Sequence, residues 1–379
     1  MSHIPVLRAP PEHPESALPP HVHKLPRPAA MQKATQLAFL RFEKADLDAA
    51  QRFWTDFGLI TVSRTASQLV MRGAGSAPAT LVATAARRSR YVGAAFVVPA
   101  DTDFERMLHT GGARRLPEDA VPGGARGVAL NDPDGNEVWL ISDWGRVEAM
   151  PLREPTHRQV NGLQAMPRVD APLRTPIEAA TVGRLGHVVL QTTDFHTMAD
   201  WYMRHLGLIP SDVQYLEDGS PLLAFFRLDL GMVPADHHTL VIAGGLTPCY
   251  EHSAWEVNDL DALGQGQQVL RANGHDHMWG IGRHLLGSQL FDYWRDADGL
   301  AFEHYTDGDM FTAQREPHYV PFTPGALWAW GADVPASMFP AKTPAMLWQA
   351  IQLLRSGRTT LRRLLMLGRT VEARARPWL

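Results

Sequence analysis

"GRLGHVVLQTTDFHTMADWYMRHLGL" (residues 183–208) reads as a strand, a cap and a helix in one line. A short apolar strand leads to Asp194. An amphipathic helix with the aromatic pair Trp201 and Tyr202 follows, and Gly207 ends it as a C′ glycine does. An earlier stretch, "TQLAFLRFEKADLDAAQRFWTDFGL" (residues 35–59), has the same plan, with Asp46, Phe53, Trp54 and Gly58 at the matching places. Each is followed by several short strands, then by a tyrosine-led strand and a helix (from Tyr91 and from Tyr250). Each half closes with an Asp-x-Asp-Gly turn into a final strand, Asp132 to Gly135 and Asp296 to Gly299. Matched landmarks lie roughly 150–165 residues apart, which is duplication at the scale of domains. Each half reads as βαβββ twice, so the expected fold is α+β with four βαβββ modules.

The rest of the chain frames this duplication. At 379 residues it exceeds one ordinary core, and 45% apolar content is that of a soluble globular protein. A net charge of −4 leaves no global basic field for nucleic acid. Cys249 is the sole cysteine, so neither an internal disulfide nor a thiolate metal cluster forms, which suits a reducing cytoplasm. No run of about 20 apolar residues offers stable membrane insertion. The expected layout is a proline-rich extended arm (1–34), a first domain (35–145), a proline-containing surface linker (146–180), a second domain (181–310) and an extension (311–379). In the extension a helix starts at Pro344 behind the cap Thr343, and a second follows Gly357 with Arg358, Arg362, Arg363, Arg369 and Arg374 set against leucines. Aromatic "PGALWAWG" (324–331) is either a lid over a pocket or a brace on outer helices.

Chemistry separates the halves. Seven residues before the helix-leading Asp stand Phe39 and His187; two after the strand tyrosine, Gly93 and His252; seven after the turn Asp, Trp139 and Glu303. Two imidazoles and a carboxylate are the ligands of a facial non-heme iron(II) site with open positions. A lone strand histidine is more often a satisfied core residue, but three ligand types at three matched landmarks in one half only favour a metal.

The second half resembles the catalytic domain of type I extradiol ring-cleavage dioxygenases of the vicinal oxygen chelate superfamily. The matching pieces are "GHVVL", "HHTLVIAGG", "HSAWEVNDLDAL", "GRHLLGSQLFDYW" and "DADGLAFE", and the resemblance covers roughly residues 36–309. The nine-residue step from His284 to Tyr293 and the ten-residue step from Tyr293 to Glu303 agree with that family's signature. Asp292 and Ala297 depart from it, at positions where an apolar residue and proline are usual.

The resemblance implies that His187, His252 and Glu303 bind Fe(II), with Mn(II) as the substitute. It implies a catechol-type aromatic diol as substrate and O2 as co-substrate. It implies His237 as the acid–base histidine beside the dioxygen position, with His284 and Tyr293 hydrogen-bonding the bound diolate. His238, next to His237, is expected on the opposite strand face in a structural role; His304 and Asp292 are likewise expected away from the site. Trp279 and Arg283 are candidates for the substrate's distal end, and His275 and His277 for a loop near the pocket mouth. The family also implies a homo-oligomer. Two competing readings use the same fold: a metal-dependent glyoxalase-type isomerase or epimerase, and a non-catalytic small-molecule binding protein.

Overall fold

The computed structural model describes residues 11–110, 112–152, 160–174, 176–338 and 343–372. The arm carries β1 (His13–Pro14). The first module is β2 (Gln36–Lys44), α1 (Leu47–Asp56), β3 (Ile60–Arg64), β4 (Gln68–Arg72) and β5 (Leu81–Ala85). The second is β6 (Arg90–Val97), α2 (Phe104–Thr110), β7 (Arg114–Arg115), β8 (Arg126–Asn131) and β9 (Glu137–Ser142). The third is β10 (Val182–Thr192), α3 (Phe195–Leu206), β11 (Ile209–Tyr215), β12 (Pro221–Arg227) and β14 (Leu240–Gly244), with β13 (Ala235–Asp236) inserted before its last strand. The fourth is β15 (Cys249–Val257), α4 (Leu260–Ala272), β16 (Asp276–His284), β17 (Leu290–Arg295) and β18 (Ala301–Thr306). The chain then adds β19 (Met310–Phe311), β20 (His318–Pro321), β21 (Trp328–Gly331), α5 (Pro344–Arg355) and α6 (Leu361–Glu372). The four expected modules are all present.

Local chemistry sets the element ends. Asp46 accepts from the backbone N–H groups of Asp48 and Ala49, both at 2.9 Å, and Asp194 accepts from that of Thr197 at 3.1 Å. Such caps contribute about 1 kcal/mol each. Gly207 ends α3 in the left-handed conformation, with φ 64°. Thr343 caps α5 through the Met346 N–H, with Pro344 in the first turn.

Two sheets result. The first has eight strands in the order β3-β4-β5-β2-β6-β9-β8-β7. The second has eleven, in the order β1-β20-β11-β12-β14-β10-β15-β18-β17-β16-β21. In the first, β2 runs antiparallel to β6, and β6 parallel to β9, which places Phe39, Ala95 and Trp139 on one cross-strand row. In the second, β10 is antiparallel to β15 and β15 parallel to β18, and His187, Ala254 and Glu303 share the equivalent row. Side chains across such a row point to one face of the sheet.

The halves share one hydrophobic core. Tyr91 and Tyr250, matched residues of the two halves, stack with centroids 5.2 Å apart. The buried Lys44 ammonium lies between Asp296 and Asp298, and the Tyr202 hydroxyl donates to Asp132 at 3.0 Å. Both turn aspartates therefore also join the halves. The expected boundary at residue 310 is not a sheet boundary: β20 pairs with β11, and β21 pairs with β16. The arm is not free either, because β1 pairs with β20 and the Leu25 N–H donates to the Tyr319 hydroxyl at 2.9 Å. The linker has no helix or strand among its described residues, and it leaves Leu163, Met166, Val169 and Ile177 exposed. Arg374 lies outside the described residues.

Candidate metal centre

His187 lies on β10, His252 on β15 and Glu303 on β18, three adjacent strands of the second sheet. Their candidate ligand atoms all lie within 4.8 Å of one another. Glu303 Oε2 is 3.4 Å from His187 Nε2 and 3.3 Å from His252 Nε2. Glu303 is fully buried, and neither carboxylate oxygen has a hydrogen-bond partner within the protein. Nδ1 of His187 is likewise buried without a partner. A buried carboxylate left so costs several kcal/mol unless a cation meets it. Burial would raise the Glu303 carboxyl, but the imidazoles of His187, His252 and His284 hold it well below the usual carboxylate range. Burial lowers His187, which favours the neutral imidazole a metal needs. These donors fit Fe(II) or Mn(II).

Two further groups converge on the carboxylate. Nδ1 of His284 sits 2.8 Å from the Leu327 carbonyl, which can only accept, so Nδ1 carries the proton. Nε2 is then the acceptor for the Tyr293 hydroxyl at 3.0 Å. Burial, with the Glu303 charge nearby, keeps Tyr293 well above the usual phenol range and hence protonated.

The adjacent histidines at 237 and 238 are placed opposite to expectation. His238 lines the cavity, its ring centroid 4.0 Å from that of His187. His237 sits behind it, pairing with Asp212 through Nε2 and with His238 Nδ1 through Nδ1 at 2.9 Å. The cause is local backbone. Residues 237–239 form a bend rather than strand, so side-chain alternation counted back from β14 fails there. Asp212 accepts the Nε2 proton of His237, leaving its Nδ1 to accept from His238. That sets the tautomer of His238, whose Nε2 keeps its lone pair. Burial, with His187 and His237 beside it, pushes His238 well below the usual histidine range.

Other expectations divide. Trp279 lines the cavity and donates its indole N–H to the Ala332 carbonyl at 2.8 Å. Arg283 does not line it. Its guanidinium turns to the Ser288 carbonyl and to Asp307 at 2.8 Å, because Arg283 and His284 alternate across β16. His275 and His277 are not at the mouth: they pair with Asp56 and Asp292, each at 2.8 Å. Asp292 is thus a buried acceptor, also receiving Trp294 Nε1–H at 2.7 Å. His304 faces away from the site, donating to the Phe57 carbonyl at 2.7 Å and stacking on the Phe57 ring. The aromatic segment shares in both: Ala326 and Leu327 line the cavity, as do α5 and α6, while Trp328–Gly331 adds a strand beside β16. Asp212 carried no sequence signal, since a strand aspartate 25 residues before His237 reads as an ordinary surface residue.

Residues 184–304 match the Glyoxalase/Bleomycin resistance protein/Dioxygenase superfamily. Among solved structures, the chain superposes on the Mn(II)-bound glyoxalase from Novosphingobium aromaticivorans with a TM-score of 0.67 at 20% identity, covering 82% of this chain and 96% of that one. Homoprotocatechuate 2,3-dioxygenase from Arthrobacter globiformis gives a TM-score of 0.66 at 20% identity, covering 84% and 95%. These likenesses carry the fold. A sequence relative carries more: Metapyrocatechase 2 of Cupriavidus necator is 31% identical over 297 residues, 77% of this chain and 88% of that protein. At that identity and coverage, the chain belongs to the type I extradiol ring-cleavage dioxygenases of this superfamily.

Proposed function

We propose that the protein inserts both atoms of O2 into a catechol-type aromatic diol and opens the ring beside the two hydroxyls, with Fe(II) held by His187, His252 and Glu303. Mn(II) suits the same ligands. The observation that carries this reading is the Glu303 carboxylate, buried without a hydrogen-bond partner and facing two imidazoles on one cavity wall. When bound, the metal lowers the pKa of the diol hydroxyls that chelate it and brings diol and dioxygen to one centre.

The chain's own residues do the rest. The Tyr293 phenol donates to the diol oxygen nearest it and holds its developing charge, and the lone pair of His284 Nε2 accepts the proton that the diol gives up there. His238 Nε2 takes up a proton and returns it beside the reacting oxygen. The His237–Asp212 pair holds that ring in place and stabilises its protonated form. The apolar walls and the C-terminal helices exclude water.

Cleavage is tested by anaerobic Fe(II) loading followed by oxygen uptake with a panel of catechols. One O2 consumed per diol, with a yellow ring-opened product, is expected; no uptake with any diol overturns the reading. We also infer a homo-oligomer. The exposed Leu163, Met166, Val169 and Ile177 of the linker, and Met232, Val233 and Met310 beside the β13–β19 ribbon, supply apolar surface for contact between copies. The single cysteine supports a reducing, cytoplasmic setting. Among the described residues, no helix is long and apolar enough to cross a membrane.

A further inference from the structure

The C-terminal extension builds a second wall for the cavity. Leu347 and Ala350 of α5 and Leu364 and Leu367 of α6 face it, with Leu222 and Phe322 from the sheet side. Met366 buries against Leu216 and Leu222 and anchors α6 to the sheet. The cavity, partly open to solvent, is about 510 Å³, several times a bare catechol ring. If the diol sits at His187, His252 and Tyr293, most of the volume remains beyond it, toward the helices.

The chemistry of that remainder is uniform. No lysine or arginine occurs among its described lining residues, and Glu251 is the carboxylate among them. Of the cations that flank the lining in sequence, Arg283 and Arg295 are held by Asp307 and Asp276, and Arg363, beside Leu364, reaches the Ser220 hydroxyl at 3.4 Å. An anionic substituent would lose its water with no counter-charge, beside Glu251. An apolar one would meet leucine, methionine and phenylalanine.

We infer that the substrate is an uncharged catechol bearing a bulky apolar substituent, a further ring or an alkyl chain of several carbons, lodged between the sheet and the α5–α6 pair. The inference rests on the ring-cleavage reading and names its substrate class.

The test is kcat/KM on the Fe(II)-loaded full chain for catechol, for 3- and 4-alkylcatechols from methyl to hexyl, and for 2,3- and 3,4-dihydroxybenzoate. In one positional series kcat/KM should rise about fourfold per methylene, the factor that about 0.8 kcal/mol of burial corresponds to. Both benzoates should fall at least about 100-fold below the butylcatechol of that series. Flat or falling series, or a benzoate cleaved as fast as the butylcatechol, overturn the inference while catechol turnover keeps the ring-cleavage reading standing. Failure to cleave any diol overturns both. Leu364→Arg should cut the butylcatechol-to-catechol ratio at least about tenfold with the fold intact by circular dichroism. Leu367→Phe, which only narrows the space, should shift the optimum to a shorter chain. An unchanged ratio in both variants overturns the placement under the helices.

Discussion

The row Phe39–Ala95–Trp139 in the first half and the row His187–Ala254–Glu303 in the second are the same row of the same fold. One is filled and the other is chemically open. Phe39 packs edge-on against Trp139 at 6.0 Å, and the Arg41 guanidinium covers the indole while pairing with Glu137. No polar atom of that row needs a ligand. In the second half, the Glu303 carboxylate faces two imidazoles, and neither its oxygens nor Nδ1 of His187 has a hydrogen-bond partner. The third position shows why the difference is hard to reverse. A Cβ built on Gly93 would lie 1.8 Å from the Glu137 carbonyl oxygen, whereas His252 is paired with Ala301 across a regular parallel ladder. The duplicated fold fixes a place for three side chains, and the chemistry depends on which half leaves that place unfilled.

The strongest way to break this comparison is to empty one position of each row. His187→Ala should abolish iron content and lower kcat/KM by at least about 10³-fold while leaving the fold intact, as elemental analysis and oxygen uptake will report. Phe39→Ala should do the reverse, retaining iron but losing about 3–5 kcal/mol of stability in denaturant titration. If His187→Ala keeps its iron, the ligand assignment is wrong.

Next in size is the histidine pair. His238→Phe should retain iron and slow turnover by about 10²–10⁴-fold, with His237→Phe milder. The opposite order would restore the sequence-based choice of His237.

Grafting the triad onto the first half is the third test. Phe39→His, Gly93→His and Trp139→Glu together should gain no iron and should cost roughly 3 kcal/mol or more, because Gly93 cannot take a side chain against Glu137. A second equivalent of iron would show that the two rows differ only in residue type.

The smallest effect concerns the seam between halves. Burial lowers His304 to about 4 from the ordinary histidine value of 6.5, despite its bond to the Phe57 carbonyl. The unfolded chain therefore binds a proton that the folded protein excludes. That contribution to stability is fully present above pH 6.5 and is lost as pH falls toward 4, roughly 3 kcal/mol in all. Denaturation midpoints at pH 7.5 and 5 should differ less in His304→Gln than in the native chain. An equal difference would place the pH dependence elsewhere.

The duplicated plan, the caps Asp46 and Asp194, the turns at Asp132 and Asp296, and the contrast of Phe39, Gly93 and Trp139 with His187, His252 and Glu303 are legible in the sequence. They depend on short-range periodicity and on the fixed spacing of strands within a module. Alternation along β18 also separates Glu303 from His304 correctly. It fails at His237 and His238, where the chain bends for three residues and the partner that claims one ring, Asp212, comes from another strand. Alternation holds for Arg283, which turns away from the His284 face, and for Asp292, but their partners are not read from spacing: Asp307 lies two strands further on, and His277 and Trp294 donate to Asp292.

By itself, then, the sequence determined the modules, and the half that carries the candidate metal site with its three candidate ligands, because periodicity and spacing are local properties of the chain. Only the tertiary structure decided which of two adjacent histidines faces the cavity, that the arm and extension complete the second sheet, and that two C-terminal helices line an apolar space beyond the ligands. Those outcomes depend on contacts between residues far apart in the chain, and one-dimensional spacing does not encode which face meets which.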